Sequence, residues 1–155
     1  GPVAPAELER FAAILGISTS EIVDSNWVDN GPGWVAVMLE SADAVLALNP
    51  VADDGERVDI GIVGPYPPGS ESAHEVPAVF GNERGDLVED PVTGSLNASL
   101  GQWLVGSGRF KAPYVASQGT ILGRTGRAHI SRSDDGAIWV GGATHTVMEG
   151  SIELG

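Results

Sequence analysis

The chain has 155 residues and a net charge of −13, with 42% hydrophobic and 19% charged residues, which is typical of one soluble globular domain. The acidic surplus is scattered and no basic stripe offsets it, which excludes a nucleic-acid-binding surface. No apolar run approaches the roughly 18 residues of a membrane span, and no signal segment opens the sequence, so we expect a cytoplasmic protein.

The first half of the sequence predicts helices and strands in alternation. Pro5 to Leu15 carries apolar residues on one face and is followed by Gly16, which predicts an amphipathic helix. A strand is predicted at 34–40, and its residues 34–39 are apolar on both faces, which indicates that it is covered on both sides. The other predicted elements are strands at 21–28, 57–63 and 75–80 and a helix capped by Ser41 that runs to Leu48.

Residues 64–74 contain three prolines and two glycines in eleven positions. This composition resists both helix and sheet pairing, so we predict a flexible loop. Such a loop serves either as a lid over a site or as a mobile connector, and the connector is favoured. His74, at its end, is predicted to be exposed.

Residues 89 to 95 read Glu-Asp-Pro-Val-Thr-Gly-Ser and run into an apolar stretch. They predict a proline-led turn that opens a helix over 95–106. A helix N-terminus carries about four unpaired N–H groups and roughly half a positive charge. Gly94 leaves that backbone open to a ligand, so the sequence predicts an anion pocket with an acid/base carboxylate beside it. The alternative is an ordinary helix start capped by Ser95 or Thr93.

The remainder of the chain predicts an all-β region. The predicted strands lie at 114–117, 127–131, 137–140 and 145–149, with a hairpin turn at 134–136. The helix at 95–106 is apolar or small on most faces, as a helix enclosed by a sheet must be. We therefore predict an α+β fold in which a curved, mixed or antiparallel sheet rolls around one central helix, with one or two short peripheral helices.

The chain contains no cysteine. Disulfides, thiolate nucleophiles and cysteine-based zinc sites are thereby excluded, so any proton transfer falls to carboxylates or histidines. His129 and His145 are predicted on strands with structural roles. The histidines lack metal-ligand spacing and no glycine-rich loop has a phosphate-binding pattern, so we expect neither a metal nor a cofactor.

The string at 89–95 resembles the signature of the phenazine-biosynthesis PhzF-like family, whose second domain carries Glu-Asp-Pro-(Val/Ala)-Thr-Gly-Ser ahead of its central helix. Weaker similarities at 117–119, 123–127, 141–143 and 147–150 follow the order of strands and turns in the family. The resemblance therefore covers about residues 33–155. It implies a diaminopimelate epimerase-like fold. It also implies that residues 1–155 are a single domain that corresponds to the C-terminal half of a two-domain protein.

The resemblance implies roles for the residues of the motif. Asp90 would line a cleft and either transfer a proton or orient the substrate, with Glu89 beside it as the second catalytic candidate. The alternative for Asp90 is a turn aspartate that accepts bonds from the local backbone. Gly94 and Ser95 would hold a substrate carboxylate. Thr93 and Asn97 are the other candidate substrate-binding residues. Many family members have Ala-His where this chain has Leu96-Asn97, and an asparagine cannot transfer a proton at neutral pH.

The family has its active site between two domains, and the main acid/base glutamate belongs to the first, whose pattern is absent here. The resemblance therefore implies an isomerase domain that transfers protons on a small carboxylated substrate, without a cofactor and together with a complementary N-terminal domain. The alternative is a non-catalytic domain that binds a small anion, as a homodimer in which each copy stands in for the missing half.

Overall fold

A computed structural model of the chain describes residues 1–51, 57–81 and 87–153. Within these ranges, nine strands form one sheet, and three α-helices pack on its two faces. In chain order the elements are α1 (Pro5–Leu15), β1 (Asp24–Trp27), β2 (Trp34–Met38), α2 (Ala42–Leu46), β3 (Asp59–Pro65), β4 (His74–Glu75), β5 (Ala78–Gly81), β6 (Leu87–Asp90), α3 (Gly94–Gly106), β7 (Tyr114–Gln118), β8 (Gly126–Arg132) and β9 (Ile138–Gly141).

The sheet is mixed and curls around α3. Its strand order is β1-β2-β3-β4-β7-β8-β9, and β5 pairs with both β3 and β6 beside this path. The pairs β2–β3 and β4–β7 are parallel, whereas the other pairs are antiparallel. Helices α1 and α2 lie at the periphery. The predicted α+β class, with a curved mixed sheet around one central helix, is confirmed.

Strand β2 separates two hydrophobic cores. Its alternate side chains Trp34, Ala36 and Met38 belong to the inner core, together with Leu96, Leu100 and Leu104 of α3. The side chains between them, Val35 and Val37, belong to the outer core with Phe11, Ile14 and Leu15 of α1. Successive side chains of a strand point to opposite faces. The prediction that this strand is covered on both sides is confirmed.

Helix α3 is enclosed by the sheet because its apolar side chains point to several strands. Leu96, Leu100 and Leu104 are each at most 1% exposed. Gly101 faces Ile130 and Ile138 so closely that an added Cβ would lie 2.9 Å from the Ile138 Cγ2 atom. Burial of each leucine contributes about 1.5–3 kcal/mol to the free energy of unfolding. These contacts fix the position of the helix and hence of the motif at its start.

Several predicted strands are shifted or absent. The strand predicted at 75–80 is divided into β4 and β5, because Pro77 has no N–H to donate to a neighbouring strand. The predicted strand at 145–149 is wrong: no secondary structure is assigned there, and the side chains of Val147 and Met148 are each 88% exposed. His145 therefore does not lie on a strand, whereas His129 lies on β8 and is exposed.

The predicted hairpin turn at 134–136 is confirmed between β8 and β9. Gly136 has a φ of 88°, and the Ser133 N–H donates to the Ala137 carbonyl at 3.0 Å. The N-terminal predictions hold approximately: β1 is shorter than predicted, α2 ends two residues early, and β3 begins and ends two residues late. No helix in the described part of the chain is long and apolar enough to cross a membrane.

The proline-rich segment between β3 and β4 is tied down at its ends. The Tyr66 N–H donates to the Ala73 carbonyl at 2.9 Å, and the Ala73 N–H donates to the Val115 carbonyl at 2.8 Å. The segment is also shorter than predicted, since Pro65 belongs to β3 and His74 to β4. Its flexibility stays a prediction.

The prediction that His74 is exposed is wrong, since its side chain lies inside the inner layer and the residue is 4% exposed. Its ring packs against Phe110 with a centroid separation of 3.8 Å and a tilt of 38°, and it meets Tyr114 edge-on at 4.9 Å. Neither ring nitrogen has a hydrogen-bond partner among the described residues. This burial lowers the pKa of His74 to about 4.

We expect His74 to make the folding stability depend on pH between about 6.5 and 4. The unfolded chain protonates His74 below about pH 6.5, whereas the folded chain resists protonation down to about pH 4. Stability is therefore full above the unfolded pKa and is lost as the pH falls. Urea unfolding at pH 5 should show a free energy of unfolding about 2 kcal/mol below that at pH 7.

Two variants separate His74 from the other titrating groups. His74→Leu should remove most of this difference between pH 7 and pH 5, whatever its effect on stability at pH 7. His129→Gln, which changes an exposed histidine, should leave the difference in place. An unchanged pH dependence in His74→Leu would show that the buried ring is not its source.

Candidate functional site

The site is built at the N-terminus of α3. Thr93 occupies the N-cap position with φ −118° and ψ 105°, and no side chain caps the helix. The Asn97 N–H makes the first bond of the helix, to the Thr93 carbonyl at 3.2 Å. The N–H groups of Gly94 and Ser95 precede it, and a Cβ built on Gly94 would meet nothing within 4 Å. The alternative prediction is therefore confirmed only in position: Thr93, not Ser95, is the N-cap residue, but its side chain makes no capping bond.

Asp90 is held beside this helix end by Thr93. The Thr93 hydroxyl donates to Asp90 Oδ2 at 2.6 Å. The sequence predicts that Asp90 belongs to a turn. In the structure Asp90 is instead the last residue of β6. Its carboxylate thus has a fixed position relative to the open N–H groups.

Gln118 is the centre of the hydrogen-bond network that fixes the motif. It is fully buried at the end of β7. Its Oε1 accepts from the Thr93 N–H and from Asn97 Nδ2, both at 3.0 Å. Its Nε2 donates to the Asp90 carbonyl at 3.0 Å and to Thr93 Oγ1 at 2.9 Å. An amide side chain has two donor hydrogens and two acceptor lone pairs, so Gln118 is fully satisfied by the motif.

Asn97 belongs to the same network and is 1% exposed. Its Nδ2 donates to the Thr93 carbonyl at 2.9 Å as well as to Gln118 Oε1. Both hydrogens of its amide are therefore bonded inside the protein. This arrangement gives Asn97 a role in positioning Thr93, and its direct contact with a substrate stays a prediction.

Ser95 is held by side chains from the other end of the chain. The Trp34 Nε1–H donates to Ser95 Oγ at 3.0 Å, and Asn30 Nδ2 donates to the Ser95 carbonyl at 2.9 Å. A hydroxyl has one hydrogen and two lone pairs. Because Trp34 occupies a lone pair, the Ser95 hydrogen is left to donate, as recognition of an anion requires.

Glu89 and Asp90 point to opposite faces of β6. Asp90 is paired with Ala78, whose side chain lies in the inner core, and Glu89 with Val79, whose side chain lies in the outer core. Burial raises the pKa of Glu89, and the nearby carboxylate of Glu75 raises it further. Glu89 therefore does not share the pocket at the helix end, and its predicted catalytic role has no support from this geometry.

The structure thus brings four of the predicted residues together at one end of α3: Asp90, Thr93, Gly94 and Ser95. Asn97 lies one turn into the helix, and Glu89 lies on the other face of the sheet. Sequence reasoning did not predict the contributions of Gln118, Trp34 and Asn30, which come from distant parts of the chain. Of these, only Gln118 lies in a segment that resembles the family, at 117–119. In the ranges that the structure describes, no cluster of three His, Asp or Glu side chains could hold a metal ion.

Comparisons with known proteins point to one group of proteins. The family model described as phenazine biosynthesis-like protein, PhzC-PhzF, matches residues 3–150. A predicted epimerase from Pseudomonas aeruginosa is 18% identical with a TM-score of 0.63, and the match covers 96% of this chain and 55% of the other. No curated protein matches the chain.

A PhzF-family phenazine biosynthesis protein from Bacillus anthracis is 13% identical with a TM-score of 0.56, over 86% of this chain and 52% of the other. At these identities the likeness shows a shared fold. The chain spans about half the length of both of these solved structures.

Proposed function

The chain belongs to the PhzC-PhzF family of phenazine biosynthesis-like proteins, and on this premise we propose that it is an isomerase domain. It would transfer a proton on a small carboxylated substrate, without a cofactor and together with a complementary domain. The observation that carries the proposal is the position of the Asp90 carboxylate, which Thr93 holds at 2.6 Å beside an uncapped helix N-terminus.

The helix end provides the binding half of this chemistry. Its N–H groups and the positive end of the helix dipole attract an anion, and Gly94 leaves space for one to approach. The Ser95 hydroxyl adds a donor whose orientation Trp34 fixes. A substrate carboxylate bound there would lie next to Asp90. The start of α3 would then bind the substrate, and Asp90 at the end of β6 would transfer the proton.

Asp90 provides the acid/base half. A general base must lie within hydrogen-bond reach of the proton that it removes. The fixed position of the Asp90 carboxylate is therefore the first requirement for this role. The bond from Thr93 leaves Asp90 Oδ1 as the oxygen to face a substrate. Gln118 supports this geometry from behind, since it holds the Asp90 carbonyl and Thr93 together.

The opposing acid/base group would come from another domain. The chain spans about half the length of the solved structures that share its fold, which is consistent with a site completed by a second unit. That unit is either a complementary N-terminal domain or a second copy of this chain. The non-catalytic alternative, an anion-binding domain in a homodimer, rests on the same uncapped N–H groups, because binding needs no proton acceptor.

Hydrogen–deuterium exchange into a substrate would test the proposal. The chain, alone and mixed with the first domain of a full-length family member, is incubated in D2O with small carboxylic acids that carry an acidified C–H bond. We expect NMR to show deuterium at that carbon in the assembled protein, with no metal or cofactor added. Binding of these acids by the assembled protein without any exchange would contradict an isomerase and favour the anion-binding alternative.

A further inference from the structure

A second polar cavity lies on the face of the sheet that is turned away from α3. It has a volume of about 240 Å³. Strands β7 and β8 contribute to its lining on one side, and the segment between β3 and β4 lines the other. The residues that line it are Tyr66, Ser70, Glu71, Ser72, Ser117 and Arg127.

The register of the strands separates this cavity from the site at α3. Ser117 is paired with Arg127, whereas the neighbouring pair Ala116 and Ala128 belongs to the inner core around α3. Because side chains alternate along a strand, Ser117 and Arg127 lie on the outer face. Nothing in the proposed proton transfer uses these groups.

Two polar groups of the cavity are buried without a partner in the described part of the chain. Ser72 is 5% exposed, and its hydroxyl makes no hydrogen bond. The Arg127 side chain is 31% exposed, but its Nε atom is buried and unbonded, whereas Arg127 Nη1 donates to Ser117 Oγ at 3.0 Å. A buried polar group without a hydrogen bond costs about 1–3 kcal/mol. An oxygen acceptor from an ordered water or from a ligand would satisfy both donors.

The charges around the cavity are mixed. Arg127 Nη2 lies 3.8 Å from Glu71 Oε2, which is too far for a hydrogen bond, and the Glu71 side chain is 86% exposed. Behind them Glu75, which is 1% exposed, accepts from the Tyr66 hydroxyl at 2.7 Å. A simple anion would enter beside two carboxylates, and a simple cation would face Arg127. A ligand that carries both charges fits better than either.

We propose that this cavity binds a small zwitterion with adjacent carboxylate and ammonium groups, the chemical class of the free α-amino acids. The ligand carboxylate bonds to Arg127 through Nε and Nη2 and to the Ser72 hydroxyl, and the ammonium group pairs with Glu71. The volume equals that of about eight water molecules in the liquid, which admits a ligand with a short side chain.

Three probes of the full chain distinguish the ligand classes. Glycine carries both charges, acetate only the carboxylate and methylamine only the ammonium. In NMR titrations, we expect glycine to shift the amide signals of Glu71 and Ser72, with acetate and methylamine at least about tenfold weaker. Equal affinity for acetate and glycine would overturn the assignment of a zwitterion, and the absence of any shift with glycine would overturn the site.

Matched variants locate the binding. Glu71→Gln changes an exposed side chain and should lower the glycine affinity about tenfold without weakening acetate. Arg127→Lys should lower the glycine affinity by at least a similar factor, because lysine cannot form the bidentate bond. Arg132→Lys, an exposed change on the same strand, should have no effect. Glycine binding that survives both Glu71→Gln and Arg127→Lys belongs elsewhere in the molecule and overturns the proposal.

Discussion

Asp90→Asn is expected to lower the rate of deuterium exchange into the substrate by about 10²–10⁴-fold, the usual contribution of a general acid or base. Asparagine keeps the shape of the side chain and can still accept the bond from the Thr93 hydroxyl, so the loop should keep its structure. Substrate affinity should change little, because the helix N–H groups and Ser95 are untouched. The rate is followed by NMR in D2O on the assembled protein.

Two other carboxylates provide comparisons. Asp134→Asn changes an exposed residue in the turn between β8 and β9 and should leave the exchange rate unchanged. Glu89→Gln should reduce the rate less than Asp90→Asn does, because Glu89 points to the opposite face of β6. Full activity of Asp90→Asn would remove Asp90 from the reaction and with it the proposed mechanism.

Gln118→Leu is expected to destabilise the chain by about 3 kcal/mol or more. Leucine matches the size of glutamine but makes none of its four hydrogen bonds. The Thr93 N–H, the Asp90 carbonyl and one hydrogen of Asn97 would then be left without partners. Urea unfolding at pH 7 measures the loss. Because the motif loses its support, the exchange rate should fall as well.

A surface glutamine gives the matched control for this change. Gln102→Leu makes the same substitution on the exposed side of α3 and should alter the free energy of unfolding by less than about 0.5 kcal/mol. The double variant with Asn97→Leu should be more stable than the sum of the single losses predicts, since the two amides are bonded to each other. A loss below about 1 kcal/mol for Gln118→Leu would contradict the central role of this residue.

Local pattern in the sequence was enough to predict the elements that bury continuous apolar faces. The periodicity of residues 5–15 predicted α1, and the two apolar faces of residues 34–40 predicted β2. The apolar stretch after the motif predicted α3 within one residue at its start. Burial is the reason for these patterns, so they reveal which faces are covered and the class of fold that covers them.

Features that depend on distant contacts could not be predicted. The bonds of Gln118 span 21 to 28 residues, and the bond from Trp34 to Ser95 spans 61. Glutamine is polar, and nothing near it in the sequence shows that β7 ends beside the start of α3. The burial of His74 escaped prediction for the same reason, since its ring is covered by Phe110, between α3 and β7, and by Tyr114 of β7.

The strand predicted at 145–149 failed for the opposite reason. Its alternating composition suits a strand, but a strand needs a neighbour, and β9 has none beyond β8 in the described residues. The side chains of Glu89 and Asp90 point in opposite directions because both residues lie on a strand, where successive side chains alternate between the two faces. The sequence predicts a turn at these residues, and a turn does not impose this alternation. The sequence predicted where the motif lies, at the start of α3, better than it predicted the directions of the side chains there.

The division of the side chains of β2 between two cores has a consequence for how the molecule comes apart. Neither core is complete without this strand, since Trp34 and Ala36 serve the layer around α3 while Val35 and Val37 serve the layer around α1. Unfolding of either layer would expose one face of β2 to water and would weaken the packing of the other layer against the opposite face. We therefore expect the two layers to unfold as one cooperative unit, so that the helix end that carries Asp90 and Ser95 opens only when the whole fold does.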